Sequence, residues 1–174
     1  MRNKQTTIKS SISLEGVGIH TGKDVKLTFK PAKSNTGYVF KRMDLDGSPS
    51  IEAIADYVIN TQRGTTLEKN GVKLKTIEHV LAALVGLEID NVVIEINAEE
   101  PPIMDGSSKS FVLALENAGL TDLNEFRNEF IIKDVVTFKD DKTGSEITII
   151  PSDSYQITVM VDYKTKVLGT QNAT

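Results

Sequence analysis

The stretch Thr76-Ile77-Glu78-His79-Val80-Leu81-Ala82-Ala83-Leu84-Val85-Gly86-Leu87, followed by Asn91-Val92-Val93-Ile94-Glu95-Ile96-Asn97, decides the fold. Ile77, Val80, Leu81 and Leu84 stand at helical spacing, with Ile89 beyond them, so one face of a helix is apolar. Ala82 and Ala83 raise helix propensity, Thr76 can cap the start, and Gly86 sits near the end. The segment from Asn91 to Asn97 then reads as a strongly apolar strand.

Upstream, the pattern is that of strands. Val25, Leu27 and Phe29 alternate with Lys26, Thr28 and Lys30, and Pro31 closes the run. Thr7 to Leu14 is a further strand, and Gly16-Val17-Gly18-Ile19-His20-Thr21-Gly22 makes a glycine-punctuated turn between the two. Tyr38 to Lys41 and Ile51 to Ile59 are also strand candidates. Thr65-Thr66-Leu67 and Val72-Lys73-Leu74 flank Asn70-Gly71, a hairpin signal.

Downstream, Glu99 to Ser108 is a loop, by its prolines and glycine. Ser107 or Ser108 can cap a second helix that buries Phe111, Leu115 and Ala118, with Gly119 at its C-terminal turn and Leu120 in apolar contact. Thr121 to Glu129 is polar and reads as a linker. Strands then restart at Phe130–Phe138, Glu146–Ile150 and Tyr155–Tyr163, with no helix after them. Such a sheet leaves an apolar face uncovered, which predicts an unfinished module needing a C-terminal continuation or a packing partner.

Composition narrows the function classes. The chain has 174 residues, 39% hydrophobic and 25% charged, as in soluble globular proteins. No apolar run approaches the roughly 18 residues of a membrane span, so it is not expected to be integral to a membrane. The start, Met1-Arg2-Asn3-Lys4-Gln5-Thr6-Thr7, has no apolar core of a secretory signal, and a cytoplasmic location is the default expectation. Net charge is -4 and Lys and Arg are not clustered, which speaks against nucleic acid as a partner. Cysteine is absent, so disulfides and thiolate metal sites are excluded. His20 and His79 are the only histidines.

Glu78 and His79 fall in the first helical turn, about 100° apart around the axis. One arrangement makes His79 a metal ligand and Glu78 the base beside a metal-bound water. An arbitrary Glu-His dipeptide is more often a surface or satisfied core pair, and no second histidine completes a His-Glu-x-x-His pattern. His20, among glycines, belongs either to an ordinary turn or to a backbone that closely approaches a ligand. Asp105, in Ile103-Met104-Asp105-Gly106-Ser107, is an active-site carboxylate or, by the commoner rule, a turn residue. Tyr163 ends a strand, where an aromatic packs an edge or stacks on a base.

Five segments agree in order and spacing: Lys4-Gln5-Thr6-Thr7-Ile8, Gly16 to Gly22, Thr76-Ile77-Glu78-His79-Val80, Ile89-Asp90-Asn91-Val92-Val93-Ile94-Glu95 and Pro102-Ile103-Met104-Asp105-Gly106-Ser107. Together they resemble UDP-3-O-acyl-N-acetylglucosamine deacetylase, the zinc amidase of lipid A biosynthesis, over the whole chain.

That resemblance implies an α+β protein. The first domain, residues 1–125, would be a two-layer sandwich of antiparallel sheet and two helices. A second domain of similar type would begin near 129 and be incomplete at 174. Glu78 matches the family's catalytic base and His79 its first zinc ligand. His20 and Asp105 match residues lining the substrate cleft, and Tyr163 matches an aromatic that stacks on uracil. The other two zinc ligands, from a His-x-x-x-Asp motif, and a later catalytic histidine match nothing here.

The implied reaction is Zn2+-dependent hydrolysis of the N-acetyl group of a UDP-acyl-amino sugar. The C-terminal remainder of the same protein would be needed to complete the site, so the chain alone is expected to bind zinc weakly and to be inactive. Some relatives carry a fused dehydratase. The family often has cysteine within the segment matching Gln62 to Thr65, where this chain has Gly64. The competing expectation is a non-catalytic module of the same ancestry that binds a nucleotide sugar or a protein.

Overall fold

A computed structural model describes residues 3–174; Met1 and Arg2, which open the expected first domain, lie outside them. The chain divides into two units, Met1–Arg127 and Asn128–Thr174. Its fold class is α+β, as the sequence predicts.

The first unit begins with β1 (Lys4–Ile8), β2 (Ile12–Val17), β3 (Asp24–Pro31), β4 (Tyr38–Arg42) and β5 (Ser50–Glu52). A single 3-10 turn, Ala55–Tyr57, leads to β6 (Val58–Asn60), β7 (Thr66–Lys69) and β8 (Val72–Leu74). Then come α1 (Glu78–Gly86), β9 (Val92–Ile96), α2 (Lys109–Ala118) and β10 (Leu120–Phe126). The central sheet has the order β2-β3-β9-β4-β5, and β6-β7-β8 form a smaller meander. Every pairing in the central sheet is antiparallel except β4 with β9, so the expected antiparallel sheet is in fact mixed.

The core lies where the sheet's inner face meets the helices. Val25, Leu27 and Phe29 of β3 are buried in strict alternation, as are Val92, Ile94 and Ile96 of β9. The helices add Val80 and Leu84 from α1 and Phe111 and Leu115 from α2. Phe111 meets Phe29 edge to face, with ring centroids 6.5 Å apart at 83°. Such a pair adds about 0.5–1.5 kcal/mol to the gain from burial. The Asn70-Gly71 turn forms as predicted, with both residues at positive φ (52° and 78°), as a type I′ hairpin requires.

Several elements differ from the sequence reading. The strand expected over Thr7–Leu14 is two strands, because the chain breaks away at Lys9 and Ser10 to serve the end of α2. Lys9 N–H donates to the Gly119 carbonyl at 2.9 Å, and the Ser10 N–H and hydroxyl both donate to the Ala118 carbonyl. β1 therefore pairs with β10, not β2. The expected linker from Thr121 to Glu129 is in large part this β10 strand, aligned as Ile8 with Leu120 and Thr7 with Thr121. The Ile51–Ile59 strand is interrupted by the 3-10 turn, which leaves Ile54 and Ile59 exposed. Thr76 does not cap α1, since its side chain is turned to Glu100.

The second unit holds β11 (Val136–Lys139) with β12 (Glu146–Ile149), and β13 (Val159–Asp162) with β14 (Thr170–Ala173). These are two separate hairpins in place of the expected single three-stranded sheet, and β14 was not predicted. Their side chains are exposed throughout.

Candidate functional site

β8 ends at Leu74, and the chain reaches α1 through only three residues. Thr76 lies at φ 55°, a left-handed conformation rare for a β-branched side chain. This turn puts Glu78 and His79 into the first turn of α1, with Ile77 and Val80 buried on either side. Both members of the pair are half-buried: their side chains keep 37% and 30% of their surface exposed. His79 Nε2 stands 4.0 Å from Glu78 Oε1. The other carboxylate oxygen, Oε2, accepts the Thr65 N–H at 2.9 Å.

Gly64 stands on the other side of that carboxylate. A β-carbon there would lie 3.3 Å from Glu78 Oε1 and 3.4 Å from the Thr76 hydroxyl, on a backbone at φ 150°. Oε1 has no hydrogen-bond partner among the described residues, so one oxygen of Glu78 is held and the other is free to accept a proton.

His20 is exposed on the loop between β2 and β3, which closes on itself through Gly22 N–H to the Gly18 carbonyl at 2.9 Å. The backbone N–H groups of His20 and Thr21 each donate to Glu100 Oε2 at 3.0 Å. Glu100 Oε1 accepts the Thr76 hydroxyl, also at 3.0 Å. The close backbone approach that the glycines suggested is therefore made to a carboxylate of the chain itself. Glu100 is fully buried, yet sequence reasoning passed over it as one of two glutamates in a proline loop. The glycine spacing at 16, 18 and 22 was the available hint, without naming what the loop wraps.

Asp105 sits in the turn before α2. Its Oδ1 accepts both the hydroxyl (2.8 Å) and the N–H (3.0 Å) of Ser107, and these bonds hold its carboxyl below the usual carboxylate range. The Ser107 hydroxyl in turn accepts the Lys109 N–H at 3.1 Å, at the start of α2. Asp105 thus occupies the turn that the Asp-Gly signal predicts, and it is exposed there. Tyr163 follows β13 in the second unit, half-exposed, with its N–H donated to the Gly169 carbonyl at 3.1 Å.

A separate concavity lined by Thr36, Tyr38, Glu52, Ile54 and Asp90 contains none of these residues. Burial pushes the Tyr38 hydroxyl there up to about 12, and it donates to the Ile89 carbonyl at 2.6 Å, a structural role. No helix among the described residues is long and apolar enough to cross a membrane.

A family model described as UDP-3-O-acyl N-acetylglycosamine deacetylase matches residues 5–174. The chain is 45% identical over 171 residues to the bifunctional enzyme LpxC/FabZ of Bacteroides thetaiotaomicron, covering 98% of this chain and 37% of that protein. It is 42% identical over 170 residues to UDP-3-O-acyl-N-acetylglucosamine deacetylase of Alcanivorax borkumensis, covering 97% of this chain and 55% of the relative. The corresponding enzyme of Geotalea uraniireducens is 40% identical over 167 residues, with 96% and 54% covered. The chain therefore spans about half the length of the deacetylases it matches and less of the bifunctional protein.

Proposed function

This chain belongs to the UDP-3-O-acyl N-acetylglycosamine deacetylase family, and on that premise we propose that it supplies the general base and one metal ligand of a zinc-dependent amide hydrolase. The substrate is a UDP-3-O-acyl-N-acetylglucosamine, from which acetate is released in lipid A biosynthesis. The observation that carries this reading is the Glu78–His79 pair, half-exposed on the first turn of α1, with one carboxylate oxygen fixed and the other free.

A catalytic zinc ion takes three protein ligands and keeps an open position. Among the described residues, no three or more His, Cys, Asp or Glu side chains gather into such a set. This chain's donors do not fit zinc by themselves. His79 is the ligand it offers, and the remaining ligands belong to the part of a longer protein that the relatives possess.

What Glu78 does follows from its setting. Thr65 N–H fixes Oε2, so the carboxylate presents Oε1 without having to reorient. Oε1 takes a proton from the water that attacks the acetamide carbonyl. The C–N bond then breaks, acetate leaves with the water oxygen, and the proton ends on the freed sugar amine. His20 and Asp105, both exposed on loops, contact the sugar nucleotide. A UDP-activated substrate points to the cytoplasm, where nucleotide sugars are made.

Acetate release by the full-length protein tests this. Wild type turns over, while Glu78→Gln binds the UDP-sugar without turnover. A purely binding role would give a wild-type protein that holds the UDP-sugar and releases nothing.

A further inference from the structure

Glu100 is fully buried, and each donor around it comes from the site's framework. The successive N–H groups of His20 and Thr21 make a small anion nest around Oε2. Gly18 lets the loop close that tightly: a β-carbon there would lie 2.7 Å from Oε2 and 2.4 Å from the Thr21 hydroxyl oxygen. On the opposite side, Oε1 accepts the hydroxyl of Thr76, whose backbone sits at φ 55° two residues before Glu78. Beside it, Lys75 N–H donates to the Glu99 carbonyl at 2.8 Å, so Glu99-Glu100 is bonded to the strand exit that feeds α1.

We propose that Glu100 is a positioning residue for the Glu78–His79 pair: it is the internal anion around which the His20 loop and the Thr76 turn are folded, and it fixes the pair's place relative to His20. This rests on the deacetylase reading above. Glutamine at 100 would remove the negative charge that the His20 and Thr21 N–H groups surround, and an amide turned to Thr76 would reverse that bond, donating to the hydroxyl oxygen in place of accepting from it. The loop would then be held by weaker, uncharged hydrogen bonds. A displacement of about 1 Å at reacting groups can cost about a hundredfold in rate.

The test uses the full-length protein. Glu100→Gln is expected to lower kcat by about 10- to 100-fold, and to speed exchange of the His20 and Thr21 amides while those of β3 stay protected. Because Glu100→Gln can disturb folding, Thr76→Val and Thr76→Ser form a second pair. Thr76→Val removes the hydroxyl and lowers kcat with KM within about twofold; Thr76→Ser retains it and restores kcat.

The proposal is overturned if Glu100→Gln keeps wild-type kcat and wild-type protection of His20 and Thr21. It is equally overturned if Thr76→Ser is as impaired as Thr76→Val, since a role confined to stability would treat the two by packing alone. If the wild-type protein releases no acetate, the deacetylase reading fails. The exchange data then still decide whether Glu100 holds the loop.

Discussion

Gly18 and Gly64 look alike in the sequence but meet different constraints. Gly18 is glycine for space, because a methyl group would strike the Glu100 carboxylate and the Thr21 hydroxyl. Gly18→Ala is expected to destabilise the first unit by about 1–3 kcal/mol, the usual range for overpacking, read as a lower denaturation midpoint. Gly64 is glycine for backbone and neighbour alike: φ 150° strains any L side chain, and a β-carbon would press on the free oxygen of Glu78. Gly64→Ala should therefore lower the Tm; a variant with unchanged Tm would contradict this. At this scale the sequence singles out Glu78 and His79 only when the separate motifs are read together, since the dipeptide alone says little. Glu100 was not legible, because its partners His20 and Thr21 lie 80 and 79 residues away in the chain. Only the folded loop makes that carboxylate internal.

The elements were legible wherever burial imposes a period. The alternation in β3 and the Phe111, Leu115, Ala118 face of α2 came through because one side of each faces the core. Phe111→Ala should cost about 3–5 kcal/mol in denaturant unfolding, since it removes a fully buried ring seated on Phe29. β10 did not come through. It pairs with a single strand, most of its side chains are exposed, and it has no apolar alternation to read. The break at Ser10 was equally hidden, being set by the carbonyls at the end of α2.

Near the end of β4, Arg42 donates through Nε and Nη2 to both oxygens of Asp44 at 2.8 and 2.7 Å, and through Nη1 to the Lys73 carbonyl. The Arg42 hydrogen bonds hold the Asp44 carboxyl below its ordinary range. A depressed folded-state value means that this contribution is complete above the unfolded carboxylate pKa of about 3.9 and is lost as pH falls through the lower folded value. Asp44→Asn should make the acid limb of the stability profile shallower without changing its slope near neutrality. An unchanged acid limb would show that the pair adds nothing.

At the scale of the molecule, the first unit carries a packed core, while the strands of the second are exposed two-stranded hairpins. Isolated hairpins are marginal in water, and the second unit leaves Phe130, Ile131, Phe138 and Ile147 exposed. The strands and the two helices were legible from their periods, and the α+β class was what the family resemblance implied. The β11–β12 hairpin falls on the strands read over Phe130–Phe138 and Glu146–Ile150, whereas the β13–β14 hairpin was not legible, because β14, Thr170–Ala173, has no apolar pattern. The proposed zinc set would be a property of the whole molecule as well. The 174-residue chain, offering His79 with Glu78, is expected to bind zinc weakly and substoichiometrically; tight binding of one zinc per chain would contradict that division of ligands.

The most direct measurement is the rate of acetate release from a UDP-3-O-acyl-N-acetylglucosamine by the full-length protein and its Glu78→Gln variant, with zinc content assayed on the same samples. A general base contributes about 10²- to 10⁴-fold, so kcat should fall by that factor while zinc per chain stays at the wild-type level. A variant that retains its zinc and turns over within a few-fold of wild type would remove Glu78 from the chemistry and contradict the account.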